Sequence, residues 1–158
     1  MVLLKEPLEY RDGEVLCEGH IALNTLSRAK RPCVLIAHAW DGPNEQIRAK
    51  ASNLARMGYL GFALDVYGKG VRGGPSDDNT QLVAPYIGDR TLLRRRLLAG
   101  LAAAKLHPFT DPSRIAVIGY CFGGYAHSIW HAPLRRSCGQ RGVFTACCAH
   151  RSLLKRRL

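Results

Sequence analysis

Long apolar runs, paired cysteines and late acidic residues are what this chain lacks. No stretch approaches the ~18 consecutive apolar residues of a membrane-crossing helix, so no span is expected. The opening Met1-Val2-Leu3-Leu4-Lys5-Glu6-Pro7 has no charged stretch followed by a long apolar core and does not read as a secretion signal. Six cysteines are present, yet they form neither a disulfide framework nor paired C-x-x-C zinc units. A reducing cytoplasm is therefore the expected compartment, and no cofactor or metal is expected. Beyond Cys121 there is no Asp or Glu.

The net charge of +11 invites a nucleic-acid reading, and its distribution argues against one. Up to Gly124 the chain holds 16 Lys/Arg against 12 Asp/Glu, whereas residues 125–158 hold 7 basic residues and no acid. The surplus belongs mainly to the tail, and no aromatic interleaving or nucleic-acid module accompanies it.

At 158 residues the chain is at most one domain, large enough for a real core. Residues 14–23 alternate as an edge strand, with Asp12-Gly13 as the turn before it. Cys33-Val34-Leu35-Ile36-Ala37 is a continuous apolar run, as a central strand buried on both faces requires. His38 to Asn44 reads as a turn. Ile47, Ala51, Leu54 and Ala55 recur at helical spacing from Glu45 to Met57, and Gly58 stops that helix.

Tyr59 to Val66 returns as a strand. Residues 67–78 are a Gly-, Pro- and Asp-rich loop, and a helix is expected from about Gly88 to Lys105, broken at His107-Pro108. Asp111-Pro112-Ser113-Arg114 then leads into another strand. The alternation specifies a right-handed, mainly parallel, three-layer α/β sheet.

Ile115-Ala116-Val117-Ile118 runs directly into Gly119-Tyr120-Cys121-Phe122-Gly123-Gly124. Glycines two residues before and after Cys121 permit a sharp strand-to-helix bend. The thiol at its apex then points outward, beside the unpaired N–H groups of a helix start, which favour negative charge there. Thiolate is the nucleophilic form of cysteine. A small buried cysteine after a strand is the plainer alternative.

Four segments together resemble the dienelactone hydrolase family, an α/β-hydrolase subgroup with a cysteine nucleophile. They are Leu35-Ile36-Ala37-His38-Ala39-Trp40-Asp41-Gly42, Leu54-Ala55-Arg56-Met57-Gly58-Tyr59, Ala63-Leu64-Asp65-Val66-Tyr67-Gly68, and the elbow around Cys121. The resemblance covers residues from about 14 to 124. It implies the first half of a three-layer α/β-hydrolase-type domain, its mainly parallel sheet incomplete.

It implies Cys121 as nucleophile and the backbone N–H groups of Trp40 and Phe122 as the oxyanion hole, acting on a small-molecule ester or lactone. Lys69 stands where well-known members carry an arginine that holds a substrate carboxylate; lysine attracts a carboxylate but cannot grip it bidentately. Many members have a glutamate where Ala39 stands. His38 precedes the nucleophile, whereas the family's base histidine follows it, so His38 is expected to be structural.

Residues 125–158 form a second region, an atypical basic tail with His127, His131 and His150 but no acid and no visible strand. An α/β hydrolase needs an acid and a histidine after its nucleophile. A reading frame slipped near Gly124 explains the region best: shifted codons for 127–131 can spell Leu-Asp-Met-Ala-Arg, and those for 143–148 Leu-His-Gly-Leu-Leu. A genuine basic tail and a zinc site from Cys138, Cys147, Cys148 and His150 are weaker readings. Such a half-sheet is expected to be poorly soluble, or disordered after about residue 125.

The expected chemistry is thus cysteine-based ester or lactone hydrolysis, with turnover crippled by the missing Asp and His. The alternatives are a non-catalytic remnant with a basic tail and another cysteine-elbow α/β enzyme, such as the amidotransferase-like group.

Overall fold

Leu3–Asp12 forms the first strand, β1, although Lys5, Glu6 and Pro7 interrupt its apolar residues. The computed structural model describes residues 2–126 and 143–148. Gly13, at φ +60°, turns β1 back into the antiparallel strand β2 (Val15–Asn24). Sequence patterning did not anticipate β1. It also placed residues 14–23 at an edge, whereas β2 lies between β1 and the parallel strands.

The parallel part contains β3 (Arg31–Ala37), β4 (Leu60–Ala63) and β5 (Thr110–Tyr120). A further strand, β6 (Val143–Cys148), pairs parallel to β5. The sheet order is β1-β2-β4-β3-β5-β6, with β3 central as its unbroken apolar run requires. No strand was expected beyond the elbow, because a six-residue segment in an otherwise basic stretch offers no usable alternation. The zinc candidates Cys138 and His150, the three histidines, and the 127–131 part of the slipped-frame reading lie outside the described residues, whereas its 143–148 part falls on β6.

Helix α1 (Glu45–Arg56) begins where the Asn44 side chain accepts the Ile47 N–H at 3.0 Å. It buries Ile47, Ala51 and Ala55 against Ala22, Ile36 and Ala63 on one face of the sheet. The opposite face carries α2 (Thr80–Gly88) and α3 (Arg90–Leu106). The single helix expected from Gly88 is therefore two, and Asp89 separates them by accepting the Thr91 and Leu92 N–H groups.

Leu93, Leu97 and Leu101 of α3 pack with Ile21, Leu35, Phe62, Ile115 and Val117 in the larger core. Complete burial of a side chain such as Phe62 or Leu93 contributes about 1.5–3 kcal/mol. Arg96, 4% exposed, lies within this core beside the equally buried Asp12, at 3.5 Å, and donates to the Cys17 sulfur at 3.3 Å.

Among the described residues the two faces differ in cover. Beside α1 an apolar groove of about 520 Å³ remains, lined in part by Val34, Leu54, Met57, Tyr59 and Ile118. Among the described residues no helix is long and apolar enough to cross a membrane.

Burial holds His20, His38 and His107 below the ordinary imidazole value. In the unfolded chain these groups titrate near pH ~6.5, so just below that pH the unfolded state binds more protons. The stability they contribute is complete above ~6.5 and is lost as pH falls toward the folded values. The urea midpoint should therefore be lower at about pH 5.5 than at about pH 7.5. An equal or higher midpoint in acid would contradict this.

Candidate active site

Parallel pairing sets Ala37 beside Gly119, so the turns after β3 and β5 emerge together at the carboxyl edge of the sheet. Open α/β sheets bind ligands at that edge. After β5 the chain bends at Cys121, the sole non-glycine described residue with positive φ, at +53°. This left-handed conformation is uncommon for a residue bearing a Cβ and belongs to tight functional turns. Residues 122–126 are helical, and the Cys121 carbonyl accepts the Gly124 N–H at 2.9 Å.

The bend depends on two missing side chains. A Cβ on Gly119 would lie 2.1 Å from the Gly123 carbonyl oxygen, and one on Gly123 would lie 2.3 Å from the Ala37 oxygen. Backbone atoms cannot yield as a side-chain tip can. The elbow is thus seated directly on the end of β3.

Cys121 is exposed, whereas Cys17 and Cys33 are buried. Burial raises the Cys17 thiol and pushes Cys33 up to about 12, making both poor sources of thiolate.

The turn after β3 is fixed by hydrogen bonds. Val66 N–H donates to His38 Nε2 at 3.2 Å, which leaves Nδ1–H to donate to the Ala39 carbonyl at 2.6 Å. In a trans peptide the Ala39 carbonyl and the Trp40 N–H point in opposite directions. His38 therefore orients the amide that presents the Trp40 N–H. Asp41 accepts from Asn44 Nδ2 at 2.5 Å, and Arg72 Nη1 donates to the Pro43 carbonyl at 2.6 Å. Among the described residues, neither the Trp40 nor the Phe122 N–H has an acceptor.

The aromatic rings of His38, Tyr67, Tyr86 and Phe122 join this turn to the elbow. The fold thus gathers Cys121, Phe122 and the Trp40 turn at one edge. Lys69 is held elsewhere: its ammonium pairs with Glu9 and, at 3.1 Å, with Glu18, while its N–H donates to the Leu16 carbonyl. The expected carboxylate-holding role meets a lysine already neutralised by two strand carboxylates.

His38 is completely buried with both ring nitrogens engaged, which suits a structural group rather than a base. Asp41, the acid nearest to Ala39 in sequence, has an oxygen committed to Asn44.

Sequence reading did not identify Tyr67 or Asp65 as site-forming residues. Asp65 accepts the Tyr67 and Gly68 N–H groups at 3.0 Å each and the Glu18 N–H at 2.9 Å. The signal available was an Asp followed two residues later by Tyr-Gly, an Asx-turn pattern. Among the described residues, no group of three or more His, Cys, Asp or Glu side chains could hold a metal ion.

The chain is similar to a dienelactone hydrolase-like promiscuous phosphotriesterase, P91, from metagenomic libraries, with 29% identity and a TM-score of 0.78. The likeness covers 82% of this chain and 54% of that one. It is also similar to a structure described as m3DLH, at 27% identity and TM-score 0.79, over 92% of this chain and 59% of the other. A putative dienelactone hydrolase from Klebsiella pneumoniae subsp. pneumoniae, at 19% identity and TM-score 0.69, shares the fold over 84% of this chain and 56% of its own.

The chain thus spans a little over half the length of these relatives. A search of curated proteins found no match. The profile of the "Dienelactone hydrolase family" matches residues 18–136. Since that match runs from β2 through the elbow and takes in both turns of the site, the chain belongs to the dienelactone hydrolase family.

Proposed function

We propose that this edge of the sheet is an ester- or lactone-cleaving site with Cys121 as nucleophile, and that the 158-residue chain completes acylation without efficient turnover. The observation that carries the reading is the exposed Cys121 at φ +53° on a helix start packed against the end of β3. Its sulfur attacks the carbonyl carbon, and negative charge develops on the carbonyl oxygen. The Trp40 and Phe122 amides stabilise that charge; loss of one such donor costs about 2.7–4 kcal/mol in a measured oxyanion hole. Collapse of the tetrahedral adduct breaks the C–O bond, the departing alkoxide takes a proton from water (staying tethered to the acyl group in a lactone), and a thioester remains on Cys121.

Water must then attack the thioester, with a base to take its proton. Both His38 nitrogens are occupied, and residues 122–158 hold no Asp or Glu that could partner a histidine. Acylation can precede this obstacle, because a cysteine is partly ionised near neutral pH without an assigned base. Lys69 takes no part in the reading, since Glu9 and Glu18 hold its ammonium. The substrate is a small ester or lactone.

With p-nitrophenyl acetate, the chain should release p-nitrophenolate in a burst of no more than one equivalent, followed by slow turnover. Cys121→Ser should reduce that burst rate at least about a hundredfold, with the acetyl group in the parent located by peptide mass. A burst that survives the substitution, or an acetyl group on another thiol, would sink the reading. Gly123→Ala should also abolish the burst and cost about 1–3 kcal/mol of stability, because the added methyl meets backbone on β3. Wild-type acylation and an unchanged urea midpoint for that variant would show that the elbow tolerates the methyl.

A further inference from the structure

The two amide donors arise from different strands, and both lie beyond the last ladder pair of β3 and β5, Ala37 with Gly119. The ladder alone does not fix their separation. Displacement of a reacting group by about 1 Å can cost about a hundredfold in rate, so an element that touches both turns would sharpen the register that the Gly123 contact with Ala37 begins.

Tyr67, just beyond β4, touches both. Its hydroxyl donates to the Trp40 carbonyl at 2.7 Å. Its ring lies nearly parallel to that of Phe122, with centroids 5.9 Å apart and an interplanar angle of 26°. An edge contact at 4.7 Å joins it to His38. Tyr67 is itself anchored by Asp65, which accepts its N–H, and by the Tyr86 hydroxyl, which donates to its carbonyl at 3.3 Å.

We propose that Tyr67 is the positioning residue that keeps the Trp40 and Phe122 amides in one register. Its hydroxyl holds the Trp40–Asp41 peptide, as His38 holds the Ala39–Trp40 peptide, while its ring backs Phe122. Two successive peptide units of the turn are thereby clamped from one side. This role rests on the assignment of those amides as the oxyanion donors. A tyrosine serving only the core needs its ring, whereas this one also directs its hydroxyl to the carbonyl of Trp40.

Tyr67→Phe retains the ring and removes the clamp. The full chain, Tyr67→Phe and Cys121→Ser are compared in two reactions at Cys121: acetylation by p-nitrophenyl acetate, which develops an oxyanion, and alkylation by iodoacetamide, which does not. The expected result for Tyr67→Phe is acetylation slowed at least about tenfold, with alkylation within about twofold of the parent.

Equal acetylation in the parent and Tyr67→Phe, both dependent on Cys121, would overturn the positioning role and leave the nucleophile intact. An equal fall in both reactions would also overturn it, because the hydroxyl would then support the fold or the thiol rather than the amides. Acetylation of the parent that does not depend on Cys121 would remove the oxyanion reading and the role together.

Discussion

The turns after β3 and β5 nearly touch, backbone to backbone, and they do so because Gly123 has no side chain. The carbonyl oxygens of Ala37 and His38 occupy the space that a Cβ at position 123 would claim. Gly119 makes the same concession to Gly123 from within β5. Removing either gap would force Cys121 away from the turn that carries Trp40. The unusual backbone at Cys121 follows from this contact, since the chain must reverse within one residue after leaving the strand.

Polar groups at the same edge convert that proximity into definite directions. His38 and Asp65 are both fully sequestered, and their hydrogen bonds satisfy five backbone groups drawn from three loops or strands. An unpaired polar group at such depth would cost about 1–3 kcal/mol, so an alternative arrangement of these turns is penalised at several points at once. The Asp12–Arg96–Cys17 group performs a comparable service for the β1–β2 hairpin, where breaking a buried charge pair is costly.

What could be read from the amino acids followed the range of the forces involved. The run from Cys33 to Ala37, the α1 face and the Gly119-to-Gly124 bend are local patterns, and each was legible. β1 was not, because Lys5, Glu6 and Pro7 interrupt its apolar residues and its stability comes from pairing with β2. Pro85 and Gly88 hid α2, which is held by packing Val83 and Tyr86 rather than by propensity. At the site, Cys121 was marked by its glycines, whereas the partner of the Tyr67 hydroxyl lies 27 residues away and leaves no local signature. Lys69 shows the reverse case: a position matched by resemblance, with surroundings set by Glu9, 60 residues distant.

Among the described residues the sheet separates two apolar compartments, one on each face. Tyr67, Tyr86 and Phe122 all belong to the thicker compartment built on α3, while the groove beside α1 adjoins Leu54 and Ile118 on the reverse side. The groove's lining includes none of those three rings, so a side chain changed there reaches the Cys121 edge only through β3 and β5 themselves.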